Sequence, residues 1–311
     1  MNLVVYVALC LSAGVFLLAS VVRAGRYARA PIHLRWELYP VPHEAAERAE
    51  HGGSFFEESD WWTRPRKRNL TGELQAMLTE ILFLKALHDF NRGLWYRSYQ
   101  FHLGLYLLIG ACGLVLFTAL LSLFAPALLA GVLAGILYWL YTFAGMAGVF
   151  LSVVGALGLL HKRLTAPDLK GSTVPGDIFN LCFFILAFGV LTAGYLLRGP
   201  EAPGTVAVVA GLLAFDRSLA IPKLWGAGLI LCGLLAAYIP LTHMSHFIGK
   251  YFTYHAVRWD DAPTILNRRI TARLAEYLTY RPTWSAGHVG ADGTRTWADI
   301  ATTNPWEGGK K

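Results

Sequence analysis

Five long stretches of the chain are almost entirely apolar, and charged residues are concentrated in the segments between them. The stretches cover about 3–22, 101–124, 128–160, 175–197 and 224–248. A helix of about 20 apolar residues crosses the ~30 Å hydrocarbon core of a bilayer, so each stretch predicts one transmembrane helix. The third stretch is longer than one crossing needs, which predicts a helix that is tilted or extends beyond the bilayer.

The first stretch is interpreted as a membrane span rather than a secretory signal. It has no basic residues before it and no small-residue cleavage site after it, both of which a signal peptide would carry. The predicted fold is therefore an all-α integral membrane protein, a bundle of five transmembrane helices.

The segments outside the five stretches contain two further predicted helices. The segment 23–100 has a mixed charge and is rich in Pro, Gly and aromatic pairs, which indicates an ordered surface, and its part "TGELQAMLTEILFLKALHDF" has the period of an amphipathic helix. In the tail 250–311, "LNRRITARLAEYLTY" predicts another amphipathic helix and "TWADIATTNPW" a Trp-bearing coil. The segment 198–223 carries an apolar piece too short to span, which predicts a position along the membrane interface.

Composition supports a membrane protein. Hydrophobic residues make up 55% of the 311 residues and charged residues only 15%, whereas soluble domains are about 45–50% apolar. The mean hydropathy is +0.44.

The distribution of basic residues predicts the orientation in the membrane. The segment 23–100, the loop 161–174 and the tail together hold 24 of the 27 Lys and Arg residues, and the segment 198–223 holds the other three. Because short loops rich in Lys and Arg stay in the cytoplasm, we expect the N-terminus outside, and the 23–100 loop and the C-terminal tail inside. The net charge of +7 then follows from this topology and does not indicate nucleic-acid binding. The chain divides into a membrane domain, 1–249, and a cytoplasmic tail, 250–311, that docks a partner.

The four cysteines, Cys10, Cys112, Cys182 and Cys232, lie singly in four of the stretches. No CxxC or other paired spacing is present, so the sequence predicts neither a disulfide framework nor an iron–sulfur cluster. Any such cluster is expected in a partner protein.

Histidines supply the candidate chemistry. Of ten histidines, only His102, His243 and His246 lie at predicted membrane depth, where an ionisable side chain by default marks a functional site. His102 begins the second stretch and His246 ends the fifth, so on antiparallel helices the two reach a similar depth. Two neutral imidazoles facing each other inside an apolar bundle are what a b-type haem needs for its axial bonds. Gly104 is expected near that face, and hydrogen bonding within the bundle is the alternative role for the histidines.

The sequence resembles the gamma subunit of respiratory nitrate reductase and, more closely, the membrane cytochromes b that accompany heterodisulfide-reductase-like iron–sulfur proteins, including the membrane subunit of the sulfite-reduction-associated complex. The resemblance is carried by "FHLGLYLLI", "HKRLTAPDLKGSTVPGDIFN", "PLTHMSHFIGKYFTYHAVRWDD" and "TWADIATTNPW". It implies a five-helix quinol-linked cytochrome in which His102 and His246 hold the haem nearer the cytoplasm. Where that family has a second histidine pair, this chain has Cys112 and apolar residues around Leu229.

The number of haems and the quinone site are left open by the sequence. A second haem would draw its ligands from His243, His161 or His88, although His243 is favoured as a polar neighbour of the haem, because on one continuous helix its ring points about 60 degrees from that of His246. Candidate contacts to the haem propionates are Arg97, Lys162, Arg163 and Lys250. Candidates for a quinone site near the outer surface are Asp216, Arg217 and Lys223, and an inner site is the alternative.

The predicted function is that of a haem b subunit in the inner (cytoplasmic) membrane, one part of a respiratory complex. It would pass electrons between menaquinone, or another quinone, and a cytoplasmic iron–sulfur subunit, with further membrane subunits as partners. We expect no catalytic side-chain chemistry of its own beyond quinone redox. A haem-free membrane anchor for the same kind of complex is the alternative. A transporter is disfavoured, because five spans do not divide into equal inverted repeats.

Overall fold

The computed structural model describes residues 2–30, 41, 42, 44, 47, 55–65, 69–260, 263 and 266–303. Within these residues the chain is helical, and its β structure is limited to one isolated bridge between Ala286 and Ala291. The chain forms two compact units. The first comprises Met1–Ala24 and Gly72–Ile248, and the second comprises Gly25–Thr71 and Gly249–Lys311.

Five helices are long and apolar enough to cross a membrane, which confirms the predicted number of spans. The first four are α1 (Asn2–Ala28), α4 (Arg92–Phe124), α5 (Val132–Thr165) and α7 (Pro175–Leu196). The fifth runs over Lys223–Leu241 and consists of α9 (Lys223–Tyr238) and a 3₁₀ turn (Ile239–Leu241). The helices before and between them are α2 (Leu70–Phe83), α3 (Lys85–Phe90), α6 (Pro167–Lys170) and α8 (Thr205–Ala214).

The fifth span ends earlier than the predicted boundary at 248. Pro240 lies in the 3₁₀ turn, and proline has no N–H to donate and a fixed φ, so it does not continue an α-helix. Thr242 is extended, and its hydroxyl accepts a hydrogen bond from the Met244 N–H at 3.3 Å. A second 3₁₀ turn follows over His243–Ser245, and α10 begins at His246 (His246–Thr253). His243 and His246 therefore do not lie on one continuous helix, and the 60-degree argument does not apply to them.

Helices α4 and α5 pack closely through small residues. A Cβ atom added to Gly104 would lie 2.4 Å from the Ser152 nitrogen, and one added to Gly155 would lie 2.4 Å from the Phe101 nitrogen. Small residues let membrane helices approach to backbone contact. Gly104 thus lies in the α4–α5 interface. The prediction that it faces a flat cofactor is wrong, because Ser152 and Gly148 of α5 occupy that position.

Helices α7 and α9 pack in the same way at the other end of the bundle. Gly194 meets the backbone of Trp225, and Gly228 meets that of Leu191. The buried side chains of this end come from α1, α8 and α9 and from the segment between α8 and α9: Val5, Tyr6, Val208, Ile221 and Trp225. The short apolar piece of the 198–223 segment is thus a helix, α8, packed against the bundle.

The second unit has its own contacts. The ring of Tyr27 lies 5.7 Å from that of Phe252, and the Arg269 guanidinium donates to the Arg29 carbonyl at 2.7 Å. The predicted amphipathic helix forms as α11 (Arg268–Leu278). The stretch predicted as a Trp-bearing coil instead contains α12 (Trp297–Thr302), because Thr296 and Asp299 form a capping box at its start; the end of that stretch, 304–306, lies outside the described residues.

Candidate functional site

The structure brings His102 and His246 together, as their matched depth predicted. His102 lies in the first third of α4 (Arg92–Phe124), and His246 is the first residue of α10. Their ring centres are 6.0 Å apart and their planes are inclined by 65°. These two residues are called the histidine pair below.

A backbone hydrogen bond orients the ring of His102. Its Nδ1 lies 2.7 Å from the carbonyl oxygen of Ser98, one turn earlier in α4. A carbonyl only accepts, so Nδ1 carries the proton and, in the neutral ring, Nε2 carries the lone pair. Metal-ligating histidines generally have this arrangement, in which the second nitrogen donates to a carbonyl and fixes the tautomer.

The spacing of the histidine pair fits one metal atom bound between the two rings. A metal–imidazole bond is about 2 Å long, so two imidazoles on opposite sides of one metal have ring centres roughly 6 Å apart. Among the described residues no group of three or more His, Cys, Asp or Glu side chains lies together as a metal site. A haem iron needs only two protein ligands, because the porphyrin supplies the other four nitrogens.

Apolar and aromatic side chains surround this part of the bundle. The Phe101 ring lies edge-on to His102 at 5.6 Å and edge-on to Phe184 of α7 at 4.9 Å. The Tyr106 ring centre is 6.4 Å from that of His102. The buried cluster here joins α4, α5, α7 and α9: Phe101, Ala156, Leu181, Phe184, Ala187, Phe188 and Leu235. Such a surface suits the faces of a porphyrin.

Arg23 of α1 anchors the segment that leads into His246. Its guanidinium donates to the Thr242 carbonyl at 2.9 Å and to the Ser245 hydroxyl, which in turn donates to the Thr242 carbonyl at 2.8 Å. Ser245 is only 1% exposed. Since His246 follows Ser245 directly, these bonds help to set the position of its ring.

We expect Arg23→Gln to destabilise the protein measurably. A hydrogen bond to a charged group contributes about 1.5–3 kcal/mol to the free energy of unfolding. The midpoint of thermal unfolding in detergent should therefore fall by a few degrees. The matched control is Arg26→Gln, in the exposed last turn of the same helix. Equal midpoints for the two variants would show that the Arg23 contacts do not hold the segment.

His243 turns toward α7 and joins a polar cluster. Its Nε2 lies 3.2 Å from Oδ1 of Asp177 and 3.4 Å from Nδ2 of Asn180. The other carboxylate oxygen of Asp177 accepts from Arg163 of α5 at 2.9 Å. These four residues, called the polar cluster below, come from α5, from α7 and from the turn after α9.

The other candidate second-haem ligands, His161 and His88, lie on different helices. His161 is exposed on α5, and its carbonyl accepts a hydrogen bond from the Thr165 hydroxyl. His88 lies on α3, where its Nδ1 is 3.1 Å from Asp89 and its ring packs edge-on to Trp95. The pKa of the Asp89 carboxyl is lowered by its hydrogen bonds to Lys85 and His88.

The candidate propionate contacts have different surroundings. Arg97 donates to the Gly93 carbonyl at 2.5 Å, and its stem packs where a Cβ of Gly158 would lie. Lys162, in the last turn of α5, is close to Gly93 of α4. Arg163 forms an ion pair with Asp177. Lys250 lies on α10, in the second unit.

The residues predicted for an outer quinone site have local structural roles. Oδ1 of Asp216 accepts from the Ser218 N–H at 2.8 Å, and the hydrogen bonds from Ser218 lower the pKa of Asp216. The Arg217 carbonyl accepts from Asn2, and Lys223 is the first residue of α9. A carboxyl with a lowered pKa is a poor proton acceptor, which weakens the case for Asp216.

The chain matches no family model, no curated protein and no solved structure. The family resemblance therefore stays a prediction, and the site rests on its geometry.

Sequence reasoning missed Asp177, Asn180 and Arg23. A signal for the first two was present, because Asp177 and Asn180 are polar residues within the fourth apolar stretch, and polar residues at membrane depth usually have a function. Arg23 offered no such signal, since an arginine at the end of a span commonly extends to the interface.

Proposed function

We propose that the protein is a haem b subunit of a membrane complex that transfers electrons. The observation that supports this is the 6.0 Å separation of the His102 and His246 rings, together with the bond from His102 Nδ1 to the Ser98 carbonyl. The residues present fit a haem held by two axial imidazoles in an apolar bundle.

A haem whose two axial positions are both filled by protein supplies one-electron transfer and has no open position for substrate. The chain's own residues hold and tune such a group. His102 and His246 would provide the ligand nitrogens, and the Ser98 carbonyl fixes the tautomer of His102 and would raise its basicity. The apolar cluster around Phe101 and Phe184 excludes water, and Arg23 holds the turn before His246.

The electrons are proposed to pass between the quinone pool and a cytoplasmic iron–sulfur subunit. The quinone is proposed to be menaquinone or a related quinone. The distribution of Lys and Arg supports an inner-membrane protein with its N-terminus outside and its C-terminus inside.

The second unit, on the proposed cytoplasmic side, exposes the large aromatic side chains Tyr277, Tyr280, Trp284 and Trp297. Its exposed arginines include Arg268, Arg269, Arg273 and Arg281. Exposed aromatic and arginine side chains are enriched in protein interfaces, which supports docking of a partner there.

The test is the haem content of the purified full-length protein. A pyridine haemochrome assay per polypeptide is expected to give about one haem b. A folded protein without haem would contradict the proposal and favour the haem-free anchor. Two haems per chain would contradict the single site and direct attention to His243, His161 and His88.

A further inference from the structure

We propose that the polar cluster binds the head group of a hydroquinone and that His243 accepts a proton from one of its hydroxyls. This inference rests on the proposed function and adds the place and the residues of the quinone site. Three elements converge there: Arg163 from α5, Asp177 and Asn180 from α7, and His243 from the turn after α9.

The Asp177–His243 contact prepares the imidazole as a base. A carboxylate only accepts hydrogen bonds, so the 3.2 Å contact places a proton on Nε2 of His243 and the lone pair of the neutral ring on Nδ1. The His243 side chain is 63% exposed, whereas Asp177 is only 11% exposed. The half-buried carboxylate thus orients a reachable ring, as it does in histidine–carboxylate pairs of enzymes. Arg163 balances the charge of Asp177 at 2.9 Å.

Asn180 provides a second, independent sign of a ligand. The residue is 5% exposed, and its Oδ1 is buried with no hydrogen-bond partner among the residues that the structure describes. Exchanging the amide oxygen and nitrogen of Asn180 would turn Oδ1 toward Nε2 of His243 and leave Nδ2 as the buried atom without a partner among the described residues. A buried polar atom without a partner costs about 1–3 kcal/mol. A ligand hydroxyl at this position would satisfy it by donating to Oδ1.

The surroundings favour an aromatic diol over a lipid head group. Phe179 and Phe183 of α7 and Tyr238 of α9 form a contiguous aromatic surface on the helices that carry or precede the cluster residues, with ring centres 5.7–5.9 Å apart. Flat rings pack well on such a surface. The carboxylate of Asp177 repels a phosphate, whereas a neutral hydroquinone offers two hydroxyls to an amide and an imidazole.

The cluster also lies at the same end of the bundle as the histidine pair. His243 is three residues before His246, and Asn180 is one turn before Phe184, whose ring contacts Phe101 beside His102. The step assigned to His243 is a proton transfer alone. The hydroxyl O–H bond breaks, an N–H bond forms at Nδ1, and the oxygen keeps the electron pair.

The experiment follows reduction of the haem by menadiol in the purified full-length protein, by stopped-flow absorbance at a series of menadiol concentrations. The variants are His243→Gln, which removes the base, and Asn180→Leu, which removes the amide at nearly equal volume. Asp216→Asn, at the opposite end of the bundle, is the control. Haem content and the oxidised spectrum are recorded for each variant.

We expect His243→Gln to keep its haem and to lower the limiting rate of reduction by about 10²–10⁴-fold, the usual contribution of a general base. Asn180→Leu should raise the menadiol concentration for half-maximal rate by about tenfold, the equivalent of one hydrogen bond. Asp216→Asn should match the wild type.

The outcomes separate this inference from the proposed function. A wild-type haem that menadiol does not reduce would refute the quinone-linked function itself. Reduction that is unchanged in His243→Gln and slowed in Asp216→Asn would overturn the inference and place the site at the opposite end. Loss of haem in both His243→Gln and Asn180→Leu would assign the cluster a structural role, which also overturns it.

Discussion

Replacing either residue of the histidine pair by alanine is expected to abolish haem binding. His102→Ala or His246→Ala removes one of two axial bonds and leaves the iron with one protein ligand in an apolar site. Purified His246→Ala should therefore show no Soret band and a haem content near zero, against about one haem b per wild-type chain. His288→Ala, an exposed histidine of the second unit, is the matched control and should keep its haem.

Two further measurements make this prediction specific. Imidazole added to His246→Ala during haem loading should restore part of the Soret absorbance, because a free imidazole can occupy the place of the missing ring. His161→Ala should leave the haem content unchanged, since His161 is an exposed residue of α5 and not a member of the histidine pair. Full haem content in both His102→Ala and His246→Ala would refute the assignment of these residues as axial ligands.

A methyl group at Gly155 is expected to disrupt the packing of α4 against α5. The added Cβ would lie 2.4 Å from the nitrogen and 2.7 Å from the Cα of Phe101, both backbone atoms that no rotamer change can move. The helices must separate, and overpacking of this kind costs about 1–3 kcal/mol or more. Because Phe101 precedes His102, the same shift displaces a ligand of the proposed haem.

Gly135→Ala supplies the matched control on the same helix. A Cβ at Gly135 meets no atom within 4 Å, so alanine there is expected to be neutral or slightly stabilising, since glycine is a poor helix former. Thermal unfolding in detergent and haem content should fall in Gly155→Ala and stay at the wild-type level in Gly135→Ala. Equal stability of the two variants would show that the α4–α5 interface adapts to the extra methyl group.

The number of spans could be predicted from the sequence because an uncharged run of sufficient length has few alternatives to a membrane helix. The end of the last span was predicted less accurately than the number of spans. The apolar run continues to 248, but the hydrogen-bonded helix ends at Leu241 because of Pro240 and the extended Thr242. Composition reports which residues tolerate lipid, whereas backbone geometry determines where the helix breaks.

The pairing of His102 with His246 could likewise be expected, because alternating spans bring the start of the second beside the end of the fifth. The contacts that the neighbouring residues make could not be predicted from the sequence. Glycine spacing alone did not distinguish a residue that faces a cofactor from one that admits a neighbouring helix, and Gly104 belongs to the second kind.

By itself, the sequence determined that the chain has five helices long and apolar enough to cross a membrane and that His102 and His246 stand near the ends of two apolar stretches, since both properties depend on the order of apolar and polar residues along the chain. Only the tertiary structure decided that Arg23 holds the turn before His246 and that Arg163, Asp177, Asn180 and His243 meet. These contacts join residues far apart in the sequence. Which faces of the helices meet depends on close packing at the glycines of α4, α5, α7 and α9, a property of side-chain shape in three dimensions.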